Sequence, residues 1–108
     1  MTRVELSANR GTHVIKRRTL TGAPVAALVQ LANALVRDNR GVVHCGMDTG
    51  LRVAAAFVAP SGTLVFTENP ACGDVVVTSN GHQEPALLDT PRFAQTIRGD
   101  LGLPPGNG

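Results

Sequence analysis

Three turn signals cut the stretch from Leu51 to Leu87 into short β-rich runs, and they leave few folds open to this chain. Leu51-Arg52-Val53-Ala54-Ala55-Ala56-Phe57-Val58-Ala59 is apolar at all but one position. Leu51, Val53, Ala55, Phe57 and Ala59 share one strand face, and Arg52, Ala54, Ala56 and Val58 share the other. The spacing predicts a central strand with one well-buried and one partly covered side. Pro60-Ser61-Gly62 then supplies hairpin chemistry. Thr63 to Thr67 returns as a partner strand, with Leu64 and Phe66 on one face. Asn69-Pro70-Ala71 turns again, and Asp74 to Ser79 is a third strand rich in β-branched residues. Asn80-Gly81 suits a type I′ turn, which needs positive φ at both central residues. His82 to Leu87 returns as a fourth strand. Pro85 has no N–H to give a ladder, so that strand belongs at an edge.

Cys45 enters this meander and Cys72 sits inside it. Bonded, they close a loop of about 28 residues, worth about 3.5 kcal/mol by chain entropy. Unbonded, they pack as two small buried hydrophobes. A chain of 108 residues buries only a modest core and gains from a staple, which favours the bond.

Upstream, Arg3 to Ala8 alternates, with Val4, Leu6 and Ala8 on one face. Asn9-Arg10-Gly11-Thr12 makes a turn, and His13 to Leu20 returns, with Val14 and Leu20 inward and Ile15 and Arg17 outward. Gly22-Ala23-Pro24 opens a helix, Pro24 standing in the first turn where its missing N–H costs nothing. Val25, Leu28, Val29, Ala32, Leu35 and Val36 form its apolar stripe. The helix is expected to run to Val36 and end by Asp38-Asn39-Arg40-Gly41, with Gly41 as C′. Val42-Val43-His44 is a short strand or connector. Asp89 or Thr90 caps a second helix with Pro91 at its first position, and Phe93, Ile97 and Leu101 line it. The predicted class is α+β, a mostly antiparallel sheet of five to six strands with two helices on one face. The order is β-β-α-β-β-β-β-α, in one domain over residues 1–103 with a frayed tail at 104–108.

Aromatic residues are 3% of the chain, three Phe without Trp or Tyr, so the core must be built of Val, Leu and Ala. No apolar run reaches the length of a transmembrane helix. The start carries Arg3 and Glu5 and no apolar h-region, so no signal peptide is expected there. An exported form would have lost its leader, whereas a chain native from Met1 would be cytoplasmic. Net charge is +2, but residues 1–40 carry +5 and residues 41–108 carry −3.

The basic excess lies in Arg3, Arg10, Lys16, Arg17 and Arg18, a candidate anion-binding group for nucleic acid or an anionic surface. Single-strand binding also wants stacking aromatics, which this region lacks, so a solvated hairpin is the stronger reading. Asp48-Thr49-Gly50 matches the short motif of aspartic proteases, which in a dimer would share a proton between two carboxylates. Gly46-Met47 stand where that family has bulky apolar residues, so a polar turn is the stronger reading. His13, His44, Cys45, Cys72 and His82 lack the close pairs of a structural zinc site. No cofactor or metal is expected. Glu68 to Ala71 could be an exposed loop presented to a protease.

Features from Val43 to Leu103 occur in a recognisable order: Val43-His44-Cys45, the strand Leu51 to Ala59, Cys72-Gly73, a valine strand, Asn80-Gly81, and Leu87-Leu88-Asp89 before a final helix. In this order the chain resembles small secreted or lipoprotein-type domains of actinobacteria, with Cys45-Gly46 where Cys-Pro would be expected. The resemblance implies a disulfide and a secreted or cell-envelope location, and it carries over no catalytic residues. The leading expectation is a non-enzymatic binding or interaction module for an unknown protein or ligand. A homodimeric hydrolase using Asp48 and a basic-face binder are the alternatives.

Overall fold

In the computed structural model, which describes residues 3–41, 44–46 and 50–104, eight elements follow one another in the expected order. They are β1 (Arg3–Arg10), β2 (His13–Leu20), α1 (Ala23–Asn33), β3 (Leu51–Ala59), β4 (Gly62–Asn69), β5 (Asp74–Ser79), β6 (His82–Leu88) and α2 (Pro91–Asp100). Among the described residues the strands form one antiparallel sheet in the order β2-β1-β3-β4-β5-β6. Only β1 departs from a meander, pairing with β3 after the chain has crossed through α1.

One face of this sheet is covered. Leu6, Ala55, Phe66 and Val77 stand side by side across four strands, and all four are buried. Val25 and Leu28 of α1 and Phe93 and Ile97 of α2 close over them. The three Phe are spent here: Phe57 meets Phe66 edge-on at 5.3 Å, and Phe66 meets Phe93 at 6.1 Å, joining β3, β4 and α2. On the opposite face Ser7, Ala54, Thr67 and Val76 make one row, and Glu5, Ala56, Val65 and Thr78 make the next.

Local turn chemistry explains the strand ends. Asn80 adopts φ 51° and Gly81 φ 85°, as the β5–β6 hairpin requires. The Asn80 side chain then reaches the neighbouring turn and accepts a hydrogen bond from the Thr63 N–H at 2.9 Å. Gly62 makes room for it: a Cβ there would collide with the Asn80 carboxamide, and its φ of 148° disfavours any other residue. Gly62→Ala is expected to cost about 2 kcal/mol in urea denaturation. Asn80→Gly in the same chain should restore part of that loss by removing the collision.

Thr90 caps α2, its side chain accepting from the Phe93 N–H at 3.2 Å, with Pro91 behind it. α1 begins after Gly22 with Pro24 in its first turn, as expected. Its end corrects the expectation of a helix to Val36. The helix stops at Asn33, and Val36 is 60% exposed. The Val36 carbonyl instead accepts the Leu88 N–H at 2.7 Å, and the Asp38 N–H donates to the Ala86 carbonyl at 2.9 Å. The backbone leaves the helix to run along the free side of β6, with Arg37 opposite Leu87.

A second correction concerns Val14. The β1–β2 register shifts between Ala8 and Asn9, so Val14 pairs with Asn9 while Lys16 pairs with Ala8. One residue of slip changes the face of a strand. Val14 therefore stands on the uncovered side, 45% exposed, where alternation alone had placed it inward.

Candidate interaction surface

The described residues between α1 and β3, at 34–41, 44–46 and 50, form no helix or strand, yet they are strapped to the sheet at several points. Cys45 and Cys72 are disulfide-bonded, their Cα atoms 4.3 Å apart, and no described cysteine is free. Next to the bridge the Gly46 N–H donates to the Ala71 carbonyl at 2.6 Å. The Arg40 guanidinium donates to both Asp38 carboxylate oxygens, at 2.9 and 2.8 Å, and to the Cys72 carbonyl at 2.8 Å. These bonds hold the Asp38 carboxyl down at about 2. The strap pairs with the outer side of β6 over Ala86–Leu88, just beyond Pro85, which lacks a donor.

Beneath it lies a set of ionisable groups that the sequence reading did not pick out. Glu68 belongs to β4 and points inward, 4% exposed, where a loop presented to a protease had been expected over Glu68 to Ala71. It pairs with Arg98 of α2, itself 9% exposed, at 3.4 Å. The Asp89 carboxyl lies against Glu68. Burial, the hydrogen bond to Glu68 and its negative charge push the Asp89 carboxyl up to about 8, and Asp74 adds to the repulsion. Asp89 Oδ1 and Asp74 Oδ1 are buried without a hydrogen-bond partner. At neutral pH the arrangement is a protonated Asp89 against Glu68, whose side chain also faces the Arg98 guanidinium. The available signal was the period of two: Leu64 and Phe66 face inward, so Glu68 must as well.

The five basic residues of the candidate anion site do not converge. Consecutive residues of a strand alternate faces, so Lys16 and Arg18 go to the helix side and Arg17 to the uncovered side. Arg18 donates to the Asp100 carbonyl at 2.7 Å, and Lys16 lies by Gly102, so both serve the C-terminal end of α2. Arg3 pairs with Glu5 at 3.5 Å in an exposed bridge of little energetic weight. Arg10 lies beside Gly50. Arg17 has no hydrogen-bond partner among the described residues, and it borders a shallow groove of about 310 Å³ between Glu5, Ser7, Asn9, Val14 and Thr19.

Asp48 and Thr49 of the protease-like triplet lie outside the described residues, as do Val42 and Val43 of the expected short strand. Among the described residues no group of three or more His, Cys, Asp or Glu is placed to hold a metal ion. No described helix is long and apolar enough to cross a membrane.

The two edges of the sheet are therefore unlike. β6 is paired by the strap over Ala86–Leu88, while His82–Pro85 stand exposed. β2 runs eight residues without Pro or Gly, seven of them exposed, with β1 as its one strand neighbour among the described residues. Val14 and Ile15 stand 45% and 48% exposed beside its three cations. Comparison with protein-family models, curated proteins and solved structures found no match to this chain.

Proposed function

We propose that this protein is a non-enzymatic binding module that receives a protein partner along β2 and the adjoining groove. The observation that carries this reading is the contrast between the edges. A disulfide-anchored connection pairs with β6 over Ala86–Leu88, whereas no described residue pairs with the outer side of β2. Exposed edges are ready templates for pairing, and native proteins normally cover them, shorten them or give them charge. Here β2 keeps its full length and adds Val14, Ile15 and Arg17 outside the core. The buried Glu68 and Arg98 are taken up in joining α2 to β4, with half-buried Asp89 against Glu68, which supports a scaffolding role for these clustered ionisable groups. The disulfide suits an oxidising compartment, consistent with export.

A photoreactive residue at Thr19 of β2, compared with one at Ala86 of β6 where the strap pairs, tests the surface in the producing cells. A discrete adduct formed only from Thr19, and lost with Arg17→Glu, is the expected result. Equal labelling from both edges, or adducts indifferent to Arg17→Glu, would contradict it.

A further inference from the structure

We infer that the partner supplies an acidic extended segment, which adds to β2 as a seventh, antiparallel strand. This rests on the reading of β2 as the binding edge and says what occupies it. Alternate backbone N–H and C=O groups of an edge strand point away from its one neighbour, so main-chain hydrogen bonds can form along the regular part of β2, Lys16 to Leu20. The sheet is antiparallel throughout, which sets the direction of the newcomer.

Charge selects the occupant. A second copy of the same strand is disfavoured. Two-fold pairing centred on Arg17 would set it opposite its own copy and Lys16 opposite Arg18 twice, and like charges directly opposite destabilise a sheet. An acidic strand meets the reverse situation. Its carboxylates would alternate in the same way as the cations, one facing Arg17 on the groove side and its neighbours facing Lys16 and Arg18 on the helix side. Arg17 has no partner to give up among the described residues, while Arg18 already serves Asp100.

The order along β2 also fixes a polarity. Val14 and Ile15 come before Lys16-Arg17-Arg18. An antiparallel partner therefore presents its acidic residues first and a β-branched pair after them. Nucleic acid shares the negative charge but has no peptide backbone to complete the ladder and no β-branched pair for Val14 and Ile15.

The test uses the full oxidised chain and an acetylated, amidated octapeptide, Val-Thr-Glu-Glu-Glu-Val-Val-Thr, labelled for fluorescence anisotropy. Three controls accompany it: the reversed sequence, the same peptide N-methylated at alternate residues, and a single-stranded oligonucleotide of eight thymidines. The expected result is saturable binding that weakens with salt, falls about tenfold with Arg17→Glu, and is lost on N-methylation. The reversed peptide should bind more weakly. Equal binding of the N-methylated peptide, or oligonucleotide binding that displaces the acidic one, would overturn strand addition while leaving β2 as a charged binding edge. No binding by any probe, with β2 adducts in cells also absent, would remove both this inference and the reading beneath it.

Discussion

Replacing Arg98 with methionine is expected to lower the unfolding free energy by about 3 kcal/mol at pH 7, as read by urea denaturation. The side chain fits the volume, so the loss comes from charge. Glu68 would be left 4% exposed with no cation beside it, and breaking one side of a buried pair costs far more than the pair contributes. Removing Glu68 as well, in Arg98→Met with Glu68→Met, should recover most of the loss. A loss below about 1 kcal/mol in the single variant would show that water reaches Glu68 freely.

The third member of this group gives stability an unusual slope. In the unfolded chain an aspartate loses its proton near 4, whereas in the fold Asp89 keeps its proton up to about 8. Between these values the folded protein holds one proton more than the unfolded one, so stability falls as pH rises. The contribution is full below about pH 4 and gone above about 8. Asn at position 89 can donate to Glu68 without a charge to lose. Asp89→Asn is therefore expected to flatten the decline of Tm between pH 5 and 8.5 and to be the more stable protein at the alkaline end. A parallel decline in both proteins would place the proton elsewhere.

The second large effect is covalent. Cys45→Ala with Cys72→Ala opens a loop whose ends are 27 residues apart, and chain entropy puts the loss at about 3.5 kcal/mol. The bridge carries more than entropy in this fold, because it anchors the connection that pairs with β6. Without it, Arg40 and the Gly46–Ala71 hydrogen bond must hold the strap alone. The urea slope should rise as well, since an unbridged denatured chain exposes more surface. A loss under about 0.5 kcal/mol would mean that hydrogen bonds suffice to hold the strap.

What the sequence disclosed and what it withheld divide by range. Turn chemistry is local, and Asn80-Gly81, Pro60, Thr90 and Pro91 all sit where their own geometry requires. The α+β order and the cysteine pair followed from such signals and from size. Val36 continues the helical stripe, and nothing nearby forbids a longer helix. Its carbonyl goes to Leu88, 52 positions away, and only the folded edge makes that bond available. Val14 was misplaced by a single-residue register shift that leaves no mark on the hydrophobic pattern. Glu68 was legible by counting two on from Phe66, but a charged residue beside Asn69-Pro70 reads more naturally as a turn. The basic triplet looked like one patch because the string lies flat, whereas the pleat sends its members to both faces and α2 claims two of them.

A protein with one closed edge and one open edge should show this in its amides. Hydrogen–deuterium exchange by NMR on the oxidised protein is expected to find the Leu88 and Asp38 N–H groups protected on the β6 side, and alternate amides of β2 exchanging rapidly. After reduction the protection at Leu88 and Asp38 should fall, with β2 unchanged. Slow exchange all along β2 in the free monomer, or rapid exchange at Leu88 and Asp38 while the bridge is intact, would contradict the account.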